Sequence, residues 1–254
     1  MKACRSNGRL FMLMMILDER LSREQMLLGA CAVRRLKESR VAVFGLGGVG
    51  SWCAEALARA GVGELLLVDS DSYSVTNINR QLYALDSTVG KEKTGVAAER
   101  IRDINPEIKV TPVTEIYSEK TRDLFFSTGK DYDYVADAID LVSCKLDLIL
   151  TCRENGIPIV SALGTGNKKD LQQLRIGDIS ETYGCALARV MRKELRARGV
   201  EHLNVVFSPE EPLPAEQFEA PPPGRRSVPG SLVWVPAAAG LLMCQKIVAD
   251  LTGI

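Results

Sequence analysis

Gly45, Gly47, Gly48 and Gly50 fall in a Gly-x-Gly-Gly-x-Gly run, directly after the apolar stretch Val41-Ala42-Val43-Phe44 and before a helical pattern that continues through Ala60. That order predicts a strand, a phosphate cradle and a helix. Glycines let the backbone approach an anion closely, and the following helix turns its N-terminal amides toward negative charge. A second apolar strand, Glu64 to Val68, ends at Asp69, about 20 residues further on, where a carboxylate can hold a ribose hydroxyl. The front half of the chain is therefore expected to bind a nucleotide.

Dehydrogenases, methyltransferases and nucleotidyl-transfer enzymes all use such a glycine run, and the residues beyond it separate them. Asp69-Ser70-Asp71 leads to Asn77-Ile78-Asn79-Arg80-Gln81, then Val89-Gly90-Lys91-Glu92-Lys93, then Asp137-Ala138-Ile139-Asp140. With these blocks the chain, over roughly residues 20 to 210, resembles the ubiquitin-activating and ThiF-like, sulfur-carrier-activating adenylyltransferase superfamily. Members of that superfamily attach AMP to a carboxylate. The resemblance implies ATP and Mg2+ as cofactors. It implies that Asp69, with Asp71 beside it, holds the ribose end, that Asn77, Arg80 and Lys93 contact the phosphates, and that Asp140 carries the metal. Arg23, in Leu21-Ser22-Arg23-Glu24-Gln25, matches an arginine that in homodimeric relatives reaches into the partner's nucleotide site, so a homodimer is implied too.

The chemistry explains why such residues are needed. A carboxylate is a poor electrophile because attack would have to expel an oxide; an acyl-adenylate supplies a good leaving group and releases pyrophosphate. The protein must hold ATP, neutralise the triphosphate and aim the α-phosphorus at the carboxylate. Within the superfamily, Ala138-Ile139-Asp140 followed by Lys145, and the loop Gly164-Thr165-Gly166-Asn167, resemble the branch that dehydrates threonylcarbamoyladenosine in tRNA. There ATP activates the threonyl carboxylate, and an internal group of the same nucleoside displaces AMP to close a ring. A tRNA partner fits a basic segment, in which Arg189, Arg192, Lys193 and Arg196 crowd one short helix and Lys168 and Lys169 precede it. Lysine and arginine contacts to phosphate dominate nucleic-acid affinity. A solvated helix face would show the same charges, since Glu194 is interspersed.

Three other readings stay open. Activation of the C-terminal glycine of a ubiquitin-like or sulfur-carrier protein would come with a zinc site or an exposed thiol, and leaves room for a sulfurtransferase partner. The seven cysteines form no Cys-x-x-Cys pair; Cys53, Cys144 and Cys152 fall in helical patterns as packing residues, and Cys185 alone invites a role. An NAD-dependent oxidoreductase would need a proton-transfer residue, and the one histidine, His202, lies distant in sequence from the nucleotide motifs and reads as structural. A non-catalytic nucleotide-binding scaffold is the third.

The elements that must position these residues alternate. Helix Lys91 to Asn105 stops at Pro106; strand Lys109 to Val113 carries Pro112 and so reads as an edge or a strand end. A helix near Thr121 to Phe126, strand Tyr134 to Asp137, helix Leu141 to Glu154 and strand Ile157 to Ala162 come next. Then come strand Leu174 to Ile179, helix Leu187 to Arg198, strand Leu203 to Phe207 and an apolar helix, Val233 to Leu251, whose Gly240 suits tight packing. The predicted fold is α/β: a doubly wound, mostly parallel Rossmann-like sheet with a C-terminal α/β extension. The Pro- and Glu-rich stretch 208–230 reads as a mobile crossover loop or lid over the substrate.

Residues 1–20 read as an N-terminal extension with Met15 as an alternative start, and 21–254 as one domain with a nucleotide-binding core at about 36–165 and a substrate-side extension at 166–254. Formal net charge is zero, so a polyanion must be met by a local patch rather than a global field. The run Phe11 to Leu17 imitates a signal peptide, but Asp18-Glu19-Arg20 comes after it with no small-residue cleavage site. With no apolar stretch read as long enough for a bilayer, a cytoplasmic protein without a membrane partner is expected.

Overall fold

Strand β1 (Arg40–Phe44) shows how the sheet is built. Val41 and Val43 pack on one face, Ala42 and Phe44 on the other, and all four are fully buried, as expected for a parallel strand covered by helices on both sides. The computed structural model describes residues 18–126, 131–218 and 228–254. Residues 1–17 of the N-terminal extension, Met15 among them, and residues 219–227 of the Pro-rich stretch lie outside the described residues.

Seven strands run in the order β3-β2-β1-β4-β5-β7-β6. They are β2 (Glu64–Val68), β3 (Lys109–Val113), β4 (Tyr134–Asp137), β5 (Ile159–Ala162), β6 (Arg175–Asp178) and β7 (Asn204–Phe207) around β1. All pairs are parallel except β6 with β7. The edge position of β3 tolerates Pro112, as its sequence requires. Helices α2 (Ala30–Glu38), α3 (Gly50–Arg59), α4 (Lys93–Ile104) and α7 (Trp234–Thr252) share one core with Val41 and Val43; α5 (Val142–Glu154) and α6 (Ala186–Arg196) close the other face. Helix α1 (Ser22–Leu28) packs on α2. Chain order reverses between β1 and β4, and ligands of such sheets sit in the crevice at that switch.

Two expectations change. The helix anticipated near Thr121 to Phe126 is one turn, Arg122–Leu124. Phe125 and Phe126 leave it to pack on Phe44 and Tyr117, while the Arg122 guanidinium pairs with Asp147. The expectation that no stretch could span a bilayer fails for α7, whose 19 residues are long and apolar enough by length and composition. Its apolarity has a core function: Val235, Ala239, Met243 and Ile247 are fully buried among α3 and the sheet. Gly240 permits the α3 crossing, because a Cβ there would lie 2.4 Å from the Val49 carbonyl oxygen.

Candidate active site

The switch between β1 and β4 opens into a cavity of about 840 Å³. Each wall comes from a strand end. The β1–α3 turn contributes Gly45, Gly47 and Gly48; the end of β2 contributes Asp69 and Asp71; the next loop brings Asn77 and Arg80; α4 begins with Lys93; and the turn after β4 carries Asp140. All the sequence-selected nucleotide residues except Gly50 line this one space. Arg23 is exposed on α1 and does not line it.

The glycines divide in function. Gly45 has φ +88°, and a Cβ on it would stand 2.6 Å from the Ala138 carbonyl oxygen; a Cβ on Gly50 would stand 1.8 Å from the Gly45 oxygen. These two close the turn against itself and against the Asp140 loop. Gly47 meets nothing nearer than the Gln81 amide at 3.9 Å and leaves open space in the cradle.

Asp69 ties the cradle to β2. Its Oδ2 accepts from the Leu46 amide at 2.6 Å and its Oδ1 from the Asp71 amide at 2.9 Å. Lys93, 4% exposed, donates from Nζ to Asp71 at 2.9 Å and lies 3.6 Å from Asp69. One buried cation thus offsets two carboxylates at the rim. Asn77 Oδ1 accepts from the Ser74 amide at 3.2 Å. Arg80 Nη1 donates to the Thr76 carbonyl at 2.8 Å and to Asn79 Oδ1 at 3.1 Å, so local bonds hold the guanidinium at the cavity.

Asp140 is exposed where the turn enters α5. Among the described residues no three His, Cys, Asp or Glu side chains cluster as a protein cage for a metal. That donor set still fits Mg2+, which is held through one or two carboxylates with substrate phosphates supplying further oxygens.

The far end of the cavity was only partly legible. Gly164, Thr165 and Gly166 form one side, with Leu187 from the first turn of α6 and Val228 to Ser231 from the crossover. Asn167, at φ 58°, fastens that crossover: its amide donates to the Gly230 carbonyl at 2.8 Å, its Oδ1 accepts from the Gly230 amide at 2.6 Å, and its carbonyl accepts from Leu213 at 2.7 Å. Glu115, Ile116 and Tyr117 also line the cavity, and no motif marks them. Gln81 does too; it is 7% exposed with its Oε1 unpaired among the described residues, and its place beside Arg80 was the available signal.

The basic segment is sorted by burial. Arg189, Lys193 and Arg196 form an exposed stripe on α6, opposite the buried Ala188, Met191 and Leu195, and Lys169 is exposed in the loop before it. Arg192 is half-buried, its Nη1 donating to the Thr182 carbonyl and hydroxyl at 2.5 Å each. Lys168 is corrected from a surface contact to an interior residue: it is 3% exposed, and burial lowers the pKa of its ammonium. Buried Glu210 accepts the Lys169 and Asp170 amides, which draws this loop inward.

Cysteine chemistry finds little support. Cys53 and Cys152 are buried packing residues, and Cys185 is buried with Sγ accepting the Ala188 amide at the start of α6. Cys144 lines the cavity, but burial pushes its thiol pKa up and keeps it protonated. His202 is exposed, 3.4 Å from Asp178.

Fold and site define a Rossmann-like, adenylating nucleotide-binding enzyme. The chain belongs to the ThiF family, which it matches over residues 21–254. It is 42% identical over 239 residues to tRNA threonylcarbamoyladenosine dehydratase of Bacillus subtilis (strain 168), covering 91% of this chain and 93% of that protein. The crystal structure of the E. coli tRNA N6-threonylcarbamoyladenosine dehydratase in complex with ATP superimposes with a TM-score of 0.82 at 36% identity, over 92% of this chain and 94% of that one. Molybdopterin-synthase adenylyltransferase of E. coli (strain K12) is 33% identical over 150 residues, 59% of this chain and 59% of that protein.

Proposed function

We propose that this protein activates the threonyl carboxylate of threonylcarbamoyladenosine in tRNA with ATP and dehydrates it to a cyclic product. The carboxylate oxygen attacks the α-phosphorus and pyrophosphate leaves. An internal nucleophile of the same nucleoside then attacks the acyl carbon and AMP departs, for a net loss of one water from the nucleoside. The observation that carries this reading is the shared cavity, with a glycine cradle and paired acids and bases at one end and the Gly164–Gly166 loop at the other. Similarity over 91% of the chain to a tRNA threonylcarbamoyladenosine dehydratase, against 59% for a molybdopterin-synthase adenylyltransferase, favours this carboxylate over the C-terminal glycine.

In this reading Asp69 and Asp71 hold the ribose side, and Asn77, Arg80 and Lys93 stabilise charge developing on the phosphates. Asp140 would hold Mg2+, which when bound neutralises part of the triphosphate charge. Arg23, exposed outside the cavity, would serve the site of the second copy in a homodimer. We treat residues 21–254 as one functional domain. A sulfurtransferase partner gains no support from the site itself: among the described cysteines only Cys31 is exposed, and it does not line the cavity. An intracellular location follows from the tRNA substrate.

The test is pyrophosphate release from ATP and Mg2+ with tRNA bearing threonylcarbamoyladenosine, with unmodified tRNA, and with a ubiquitin-like protein ending in Gly-Gly. Release is expected with the modified tRNA alone, together with a nucleoside lighter by one water. Release with the carrier protein would overturn the substrate assignment.

The tRNA backbone is proposed to run along the α6 stripe, whose first turn reaches the cavity at Leu187. Charge reversal at Lys193 and Arg196 should reduce the slope of log affinity against log salt by about one for each phosphate that is no longer neutralised. Arg192 is the wrong residue for this test, because it also secures Thr182. An unchanged salt slope would take α6 out of the interface.

A further inference from the structure

The most deeply buried charges in the described chain lie directly behind Asp140. Asp137, at the end of β4, and Lys145, in α5, have fully buried side chains with Nζ and Oδ2 2.9 Å apart. Ser161 in β5 donates from Oγ to the same Oδ2 at 2.6 Å. The remaining bonds converge on one peptide. The Ile139 amide donates to Asp137 Oδ1 at 3.1 Å, and the Ile139 carbonyl accepts from Lys145 Nζ at 3.0 Å. Ile139 immediately precedes Asp140, so both hydrogen-bonding groups of its residue are clamped by the pair.

The same turn is held from its other side. The Ala138 amide donates to the Phe44 carbonyl at 2.8 Å, and its carbonyl fits the space left by the absent side chain of Gly45. The turn bearing Asp140 is thereby set in register with the glycine cradle. A buried ion pair is weak evidence for stability, since its desolvation cancels much of its attraction, and an apolar core would hold β4 against α5 as well. The geometry here has a different product, a fixed backbone under a cavity-lining carboxylate.

We propose that Asp137, Lys145 and Ser161 are positioning residues that hold Asp140 at the phosphate end of the cavity, and that they act through the Ile139 peptide rather than by touching substrate. This rests on the assignment of Asp140 as the metal-side carboxylate. Loss of Lys145 alone would strand the Asp137 charge, so the informative change is Asp137→Asn with Lys145→Met, which removes both charges together. ATP binding is measured by calorimetry without metal and across a Mg2+ titration, alongside pyrophosphate release and thermal midpoint.

Metal-free ATP affinity is expected to stay within about threefold of the parent, while the Mg2+ concentration that half-maximally tightens ATP binding rises about 10–100-fold and turnover falls by a similar factor. Ser161→Ala, which keeps both charges, should shift the Mg2+ midpoint in the same direction by about threefold. A folded double variant with an unchanged Mg2+ midpoint would overturn the proposal, as would metal-free ATP binding that weakens in step with it. A Ser161→Ala protein that loses stability without moving the midpoint would overturn it also. An Asp140→Asn protein with the parent's Mg2+ dependence and turnover would instead remove the assignment on which the proposal rests.

Discussion

Replacement of Asp140 by Ala is expected to lower pyrophosphate release by roughly 10²–10³-fold, the usual cost of losing one preorganised electrostatic contact to a reacting phosphate or oxyanion. Stability should hardly change, because Asp140 is exposed and the turn beneath it is secured by Asp137 and Lys145. A shift in thermal midpoint within about 2 °C of the parent fits an exposed substitution in a chain of this size. Arg80→Ala should behave alike. Among the described residues its side chain donates to Thr76 and Asn79, so removing the guanidinium loosens a local turn and leaves the core intact. Steady-state kinetics on both variants, with melting curves as the control for folding, decide the matter; a turnover near the parent's in either would remove that residue from the reaction.

The second large effect separates two glycines of one motif. At Gly50 a Cβ would fall 1.8 Å from a backbone oxygen that no side-chain rotation can move, so Gly50→Ala is expected to destabilise the fold by about 3 kcal/mol and to abolish measurable ATP binding. Gly47 has no neighbour nearer than 3.9 Å and an ordinary φ, so Gly47→Ala should melt within about 2 °C of the parent. Its methyl would narrow the cradle, and ATP affinity should fall by about tenfold, roughly the 1.4 kcal/mol of one obstructed contact. Calorimetric titration with ATP and thermal melts of the two variants measure this directly. Equal melting points would refute the division of labour.

Much of the architecture could be read ahead because each strand and helix announces its own buried face. After one charged residue each, Arg40 and Glu64, β1 and β2 are continuous apolar runs, and α7 carries a glycine where it meets α3. The nucleotide residues were legible for a related reason: a cradle, an acid at a strand end and a cationic helix start are local constructions with characteristic residue types. The less legible parts of the site lie on both sides of the nucleotide motifs, after β3 and after β5. Glu115 to Tyr117 come after an edge strand with no motif, and Val228 to Ser231 are held at the cavity by Asn167, which takes a left-handed conformation and grips both limbs of the crossover, and by Asn79, whose amide donates to the Ser231 carbonyl.

Charge misled where composition stood in for environment. Lys168 and Arg192 carry the same formal charge as Lys193 and Arg196, yet one is buried and the other spends its guanidinium on Thr182. Asp137 and Lys145 are eight positions apart in sequence, and nothing in that spacing requires their ions to meet at 2.9 Å in the core. By itself the sequence determined the alternation of elements, the glycine cradle and the order of the acids and bases around it, since these depend on short-range periodicity and backbone freedom. The tertiary structure alone decided which strands are neighbours, which lysine turns inward, and which buried pair holds Asp140. Those outcomes depend on desolvation and packing between segments whose proximity exists only after the sheet has closed.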